Sequence, residues 1–523
     1  MNKKNKNCLI TGFKVNNKQY LYDARANFLT EIEDELYTLL VDTDFTLYEK
    51  ELNKLQENGV FCRGGLDKLV ANEDEINEFI EYCHEHTLPR KLILEVTEDC
   101  NLRCKYCFNT IGNTPRIHSK QNMSFTDAVK AIELYFNIYT TCFNRIPLEQ
   151  RNDYLKIAPP NISWWGGEPL LNFELIKKTK DYFTNLPWNQ WGITNENLVF
   201  SVVTNLTYLP EFILSFLIQN NVYMFISLDG GKEEHNLYRI NKDGKGSFDN
   251  VKSNLDYMLD NYPDYCKKRV IIQGVYMKGH SILEDEGSFY RSYLYDKGIC
   301  KVLKINQYPQ KTESSFIAKE WIDKMPSLQE RIEKFKSEMT YLENNLSNLN
   351  SVLKARSYLI EDFQKTFKFE ETLVLENPHG KNIFNQTFSC PIGRDVIYMS
   401  AKGEYHVCNK AGYSYKIGNS TVGISKKAIA DMLNSYLQTI EAKCQTCWAF
   451  RYCKICPANV MVNEKFRIPN DWECSNLKDM VKWEFYKLII LKDMPHLYEQ
   501  LKRTLPNIYK KSFLNYLSPI FIN

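Results

Sequence analysis

Apolar and polar positions along the chain fall into distinct regimes. Residues 8–15 and 18–23 alternate at period two, the pattern of two short strands, and Asn16-Asn17 between them is a turn pair. Beyond them Ile32, Leu36, Leu39 and Leu40 share one helical face, with Thr30 placed to cap it and Glu33 to complete a capping box. A second helix is expected from Leu47 to about Glu57, ended by Asn58-Gly59. From Leu88 to about Gln310 the pattern changes. Apolar, β-branched runs at 91–97, 161–165, 198–203, 222–227, 270–275 and 301–305 are mostly separated by helical stretches such as 126–139 and 172–183. This succession predicts six parallel strands in βαβ order. Residues 314–375 contain no glycine and only Pro326, with Glu, Lys, Leu and Asn prominent, so two or three amphipathic helices are expected there. The chain therefore divides into 1–88, a small α+β module; 89–310, an α/β domain; 311–385, a helical bridging region; 386–480, a cysteine-rich domain; and 481–523, a helical tail.

Composition narrows the function classes. The 523 residues are 44% apolar and 25% charged, an ordinary globular mix. A net charge of +2 gives no global reason to expect nucleic acid or an acidic membrane as partner. The basic residues 1–7 are not followed by an apolar stretch of signal-peptide length, and the run 212–218 is far too short to cross a bilayer. Sixteen cysteines without an export signal point to a reducing cytoplasm and to metal ligation rather than disulfides.

The cysteines are bunched. Cys100, Cys104 and Cys107 fall at C-x3-C-x2-C directly after the strand-like run 91–97. Thiolate is the soft ligand preferred by iron–sulfur clusters and zinc, and three ligands leave one metal position open. A zinc knuckle is the other use of such a trio. Cys390, Cys408, Cys444, Cys447, Cys453, Cys456 and Cys474 form a second array, with C-x2-C-x5-C-x2-C over 444–456. Seven thiols exceed one tetrahedral ion, so more than one site or an open site follows. Cys8, Cys62, Cys83, Cys142, Cys266 and Cys300 are scattered and read as buried small apolar residues.

The first trio, with Tyr106 ahead of its third cysteine, resembles the signature of the radical SAM superfamily. The resemblance implies a partial (β/α)6 barrel and a 4Fe–4S cluster held by Cys100, Cys104 and Cys107. It also implies S-adenosylmethionine on the open iron, cleaved to a 5′-deoxyadenosyl radical. Gly166-Gly167-Glu168-Pro169 is similar to the family motif that contacts the cofactor's amino group. Thr204-Asn205 resembles a cofactor-contacting pair, here followed by Leu206 where glycine is commoner. Ser227-Leu-Asp229-Gly230, His235, Arg239 and Gly244-Lys-Gly246-Ser-Phe248 resemble a run found in radical SAM peptide maturases. That implies Ser227 and Asp229 near the ribose, and Arg239 near the cofactor carboxylate or the substrate. Taken alone, Asp229-Gly230 reads as a turn pair and His235 as a surface residue.

The second array resembles the SPASM domain, which implies two auxiliary 4Fe–4S clusters. Cys390, Cys408 and Cys456 would hold the first, and Cys444, Cys447, Cys453 and Cys474 the second. This chain has two residues rather than three between Cys453 and Cys456. The first set counts three ligands; a fourth comes from Cys300 or water, or the iron stays open to a substrate thiol. Residues 1–88 resemble the winged-helix-like element that binds leader peptides by strand addition. The expected function is crosslinking of a ribosomally made precursor peptide, a cysteine thioether first and a carbon–carbon or ether link or an epimerisation second. The electron donor would be flavodoxin- or ferredoxin-like. The rivals are an anaerobic sulfatase-maturing enzyme that forms formylglycine, and a non-catalytic metal-binding scaffold; iron content separates the latter.

Overall fold

An antiparallel hairpin opens the chain. The computed structural model describes residues 9–24, 26–34, 37, 73–107, 118–275, 293–294, 302–305, 327–355, 357–375, 392–409, 413, 415–453, 455–462 and 465–512. Strand β1 (Ile10–Val15) pairs with β2 (Lys18–Asp23), Val15 opposite Lys18. Asn16 and Asn17 take positive φ of 49° and 63°, the left-handed pair that a two-residue hairpin turn requires and asparagine tolerates. The expected cap at Thr30 lies instead in strand β3 (Phe28–Ile32), with Thr30 opposite Leu21 and Ile32 opposite Gln19, and Asp34 and Tyr37 after it are helical. Pairing with the open edge of β2 outweighs a local capping signal, and β-branched Thr30 and Ile32 suit a strand. Leu36, Leu39, Leu40 and the helix expected at 47–57 lie outside the described residues.

Helix α1 (Glu73–His86) leads into the main sheet. Strands β4 (Lys91–Thr97), β5 (Asn161–Gly166), β6 (Val199–Thr204), β7 (Tyr223–Ser227), β8 (Val270–Val275) and β9 (Val302–Ile305) run parallel in chain order. Between them lie α2 (Phe125–Asn144), α3 (Phe173–Thr184), α4 (Glu211–Gln219), α5 (Lys232–Tyr238) and α6 (Phe248–Asn261). This is the anticipated α/β arrangement of six parallel strands. Leu92, Leu94, Val96, Ile162, Trp164, Val202, Met224 and Ile226, which alternate along their strands, are fully buried on the face that the helices cover. Trp164 donates its Nε1–H to Thr179 of α3 at 2.9 Å, fixing that helix on the sheet.

Three helices follow, α7 (Leu328–Glu343), α8 (Leu349–Ala355) and α9 (Ser357–Leu375). The C-terminal part then adds to the barrel sheet. Strands β10 (Val396–Met399), β11 (Glu404–His406), β12 (Lys416–Asn419) and β13 (Gly423–Ile424) extend it to ten strands, with β10 parallel to β4. Helix α10 (Lys426–Cys444), a small hairpin of β14 (Met461–Val462) and β15 (Lys465–Phe466), α11 (Asp471–Lys492) and α12 (Pro495–Ser512) complete the described chain. Helix α11 runs unbroken through 480–481, so Cys474 and the start of the tail share one element.

The buried side chains separate into two cores. One joins α1, the parallel sheet with its helices, β10 to β12 and α10. The other joins β1 and β2 with α7 to α9, α11, α12 and the segment at Ala449-Phe450. The N-terminal sheet, the helices of 327–375 and the C-terminal helices are far apart in sequence yet bury their apolar faces together. Phe485 of α11 lies at the centre, its ring 5.0 Å from Phe13, 4.5 Å from Tyr22 and 4.8 Å from Phe369.

Candidate active site

Cys100, Cys104 and Cys107 lie on the loop that leaves the C-terminal end of β4, where parallel sheets place their chemistry. Two neighbouring segments hold that loop. On one side it crosses the end of β5: Gly167 N donates to Thr97 O at 2.9 Å and Glu168 N to Asp99 O at 2.8 Å. A Cβ on Gly166 would run into the Thr97 carbonyl, and one on Gly167 into the Asp99 carbonyl. Gly166 also has a φ of 142°. The backbone of the cysteine loop by itself leaves no room for a side chain at either glycine. On the other side the loop runs antiparallel to 238–241, with Arg103 N donating to Ile240 O at 2.7 Å and Lys105 N to Tyr238 O at 2.9 Å.

Glu168 is 1% exposed and its two oxygens are engaged from β6. Oε1 accepts from Thr204 Oγ1 at 2.9 Å and from Leu170 N at 3.1 Å, and Oε2 accepts from Asn205 N at 2.7 Å. Burial pushes its pKa up to about 7, against the pull of these three donors. Asn205 in turn donates to Asn101 Oδ1 at 2.9 Å and reaches Cys100 Sγ at 3.8 Å. Leu206 sits at φ 57°, fully buried, so the departure from glycine places a left-handed leucine in the core. Its N–H donates to Thr204 Oγ1 at 3.0 Å, and its carbonyl accepts from Asn254 at 2.8 Å.

Asp229 forms the opposite wall. Its Oδ2 accepts from Arg239 Nε at 2.8 Å and from the Tyr106 hydroxyl, and its Oδ1 accepts from Val275 N at 2.9 Å. The Arg239 guanidinium also stacks over the Tyr106 ring at 5.3 Å. His235, expected at the surface, is fully buried. Its Nδ1 accepts from Asp229 N at 3.3 Å, which leaves Nε2 to donate to Ser247 Oγ at 3.0 Å. The Ser247 hydroxyl in turn donates to Arg239 O at 2.8 Å. The His235–Ser247 pair therefore braces both partners of the Asp229–Arg239 ion pair. Burial, with Arg239 nearby, holds the histidine neutral and lowers its pKa to about 4. The spacing from Asp229 to His235 was visible in the sequence; its burial was not.

Residues 94–286 match the model of the radical SAM superfamily. That span is a radical SAM domain. Over 170 residues the chain is 34% identical to a cysteine-type anaerobic sulfatase-maturating enzyme of Clostridium novyi, covering 31% of this chain and 38% of that protein. Over 330 residues it is 22% identical to the radical SAM cyclopropyl synthase TigE of Paramaledivibacter caminithermalis, covering 56% and 66%. The chain thus spans less than two thirds of either relative's length. A solved structure of native anSMEcpe with bound AdoMet and Kp18Cys peptide superposes with a TM-score of 0.49 at 19% identity, covering 79% of this chain and 99% of the other.

The thiols of the cysteine loop are the soft donors that a cluster takes. Burial pushes Cys100 up to about 12 and Cys104 to about 11, so without a cation these sulfurs stay protonated. Donors nevertheless point at Cys100: Leu102 N stands 3.4 Å from its Sγ, in addition to Asn205. In the C-terminal array, Cys444, Cys447, Cys453 and Cys474 lie within electrostatic reach of one another, and Cys453 is likewise pushed up to about 12 by burial. Cys456 joins Cys444 and Cys453 beside Tyr436. Cys408 follows β11, which β10 separates from β4 in the sheet, while Cys390 and Cys300 lie outside the described residues. Among the described residues no three His, Cys, Asp or Glu side chains stand close enough to hold one metal ion. Cys83, Cys142 and Cys266 are buried, as expected of the scattered cysteines. Among the described residues no helix is long and apolar enough to cross a membrane.

Proposed function

We propose that this chain is a radical S-adenosylmethionine enzyme that matures a ribosomally made precursor peptide by forming an intramolecular crosslink, a cysteine thioether in the first instance. The observation that carries the reading is the three-thiol loop at the end of β4, clasped between Gly166-Gly167-Glu168 and the Asp229–Arg239 pair. Cys100, Cys104 and Cys107 would hold a 4Fe–4S cluster. Tyr106, Gly166, Gly167, Glu168, Pro169, Thr204, Asn205, Ser227, Asp229 and Arg239 would bind S-adenosylmethionine. When bound, the two together supply a one-electron cleavage and a carbon radical able to abstract hydrogen from a substrate.

The chain's own residues supply position and charge. Glu168 offers a buried carboxylate that an incoming ammonium group would keep ionised. Asp229 and Arg239 neutralise one another within a dry wall, so the site carries fixed dipoles rather than a loose charge. Cys390, Cys408 and Cys456 would hold one auxiliary cluster, and Cys444, Cys447, Cys453 and Cys474 another. The sheet β1–β3 would bind the leader of the peptide by adding a strand. A flavodoxin- or ferredoxin-like protein would supply electrons.

The test is mass spectrometry of the small peptides encoded beside the gene, after anaerobic incubation with reconstituted enzyme, S-adenosylmethionine and a reductant. Thioether formation removes two hydrogens per bond and leaves the cysteines unreactive to alkylation. The same mass loss with free thiols indicates a carbon–carbon or ether link. Accumulation of 5′-deoxyadenosine with an unchanged peptide would sink the crosslinking assignment. A second reading, oxidation of a cysteine or serine on a folded protein, is favoured by the identity to the sulfatase-maturating relative; it gains if residues 1–88 bind no peptide.

A further inference from the structure

The two hydrophobic cores meet where the C-terminal thiols lie. Cys444 ends α10 and, with Cys453, packs against the core of the parallel sheet. Cys447 packs against the other core, the one that holds the N-terminal sheet. Cys474 lies on α11, whose Leu477 packs on the first core and whose Phe485 fills the second. The four thiols of one proposed site are therefore drawn from both bodies.

The five residues between Cys447 and Cys453 point the same way. Ala449 and Phe450 of this Trp-Ala-Phe-Arg-Tyr spacer are buried in the second core. Arg451 Nε donates to the Ala24 carbonyl at the end of β2. The Tyr452 hydroxyl donates to Asn27 Oδ1 at 2.8 Å, the same oxygen that accepts from Tyr22 at 2.9 Å. Asn27 itself makes the turn from β2 to β3 at a φ of 51°. The spacer thus reads the shape of the small sheet, and the two cysteines that flank it belong to the proposed site.

We propose that Cys444, Cys447, Cys453 and Cys474 form a clasp: metal bound there locks the N-terminal sheet onto the body that carries the radical SAM domain. The inference rests on the reading that these thiols hold a cluster, and gives that cluster a mechanical role. A site whose ligands come from two separately packed bodies orders both when it is filled, because binding favours the one arrangement that brings all ligands together. The sheet proposed to carry the leader peptide is then held at a fixed place relative to the barrel only in loaded protein.

Hydrogen exchange on the full-length, anaerobically reconstituted chain tests this, with iron counted on the same samples. Cys474→Ala should lose about four irons per chain. Exchange of residues 10–32 should speed at least about tenfold while strands 91–97 and 199–204 stay within about twofold. Iron loss with unchanged exchange at 10–32 would overturn the clasp and leave the cluster assignment standing. Unchanged iron would overturn the cluster assignment, and the clasp with it. Should this variant prove globally unfolded, Arg451→Ala combined with Tyr452→Phe keeps every thiol. It should retain full iron yet release residues 10–32 to the same extent; protection equal to the parent's would refute the clasp.

Discussion

Gly167→Ala is the sharpest probe of how the cysteine loop is held. The backbone at Gly167 needs no positive φ, so alanine meets no torsional bar there. Its Cβ would instead collide with the Asp99 carbonyl and stand 2.8 Å from the Glu98 carbonyl, both main-chain atoms that no rotamer change can move. Relief requires lifting residues 97–99 off the end of β5. That strains or breaks the bonds from Gly167 N to Thr97 O (2.9 Å) and from Glu168 N to Asp99 O (2.8 Å). Two buried backbone bonds are worth about 1–3 kcal/mol together. Overpacking adds about 1–3 kcal/mol. The reduced entropy of the unfolded chain returns about 0.4–1 kcal/mol. The net loss is about 1–6 kcal/mol, about 3 at the middle of the range, where it lowers Tm by roughly 6–12 °C for a domain of about 200 residues. Anaerobic calorimetry of the metal-free protein measures it, and iron per chain after reconstitution should drop by about four if the lifted loop no longer presents its thiols. Gly244→Ala is the control, since its φ of 82° costs about 1 kcal/mol but no atom lies within 4 Å of the added Cβ. A Gly167→Ala protein with wild-type Tm and full iron would refute the argument that this crossing sets the loop.

Three further outcomes follow from the same geometry. Asp229→Asn leaves Arg239 buried without its anion and should cost about 3–5 kcal/mol in urea unfolding; a loss under about 1 kcal/mol would show the pair is better solvated than its burial implies. His235 is neutral when folded, with a pKa near 4 against 6.5 unfolded, so protons favour the unfolded chain as pH falls from 6.5 towards 4. Between pH 7 and 5 this drains about 2 kcal/mol, and His235→Asn should flatten that part of the stability curve; an identical slope would contradict it. Phe485→Ala opens a hole between β1, β2 and α9 and should cost the second core about 3–5 kcal/mol. Exchange at 10–32 should rise while β5 and β6 are unaffected, and equal acceleration in both bodies would argue against separate cores.

Much of the site could be read directly from the amino-acid order. The strand before Cys100, the turn pair Asn16-Asn17, the six parallel strands and the succession of Gly166-Gly167-Glu168, Thr204-Asn205 and Asp229…Arg239 are local patterns. Period, turn chemistry and ligand spacing are written within a few residues of one another, so sequence alone carries them. What it left open depends on partners remote along the chain. Thr30 carries a good capping signal, yet the edge of β2 claims it for a strand. His235 has nothing in its neighbours to mark it as buried, because what buries it is the return of Ser247 and Phe248. Gly166 and Gly167 are called for by carbonyls some seventy residues upstream. The placement of β10 beside β4, and the union of residues 10–32, 327–375 and 471–512 in one core, have no local signature at all. Burying apolar faces favours whichever surfaces fit, whatever their distance in sequence, and only the assembled chain shows which ones do.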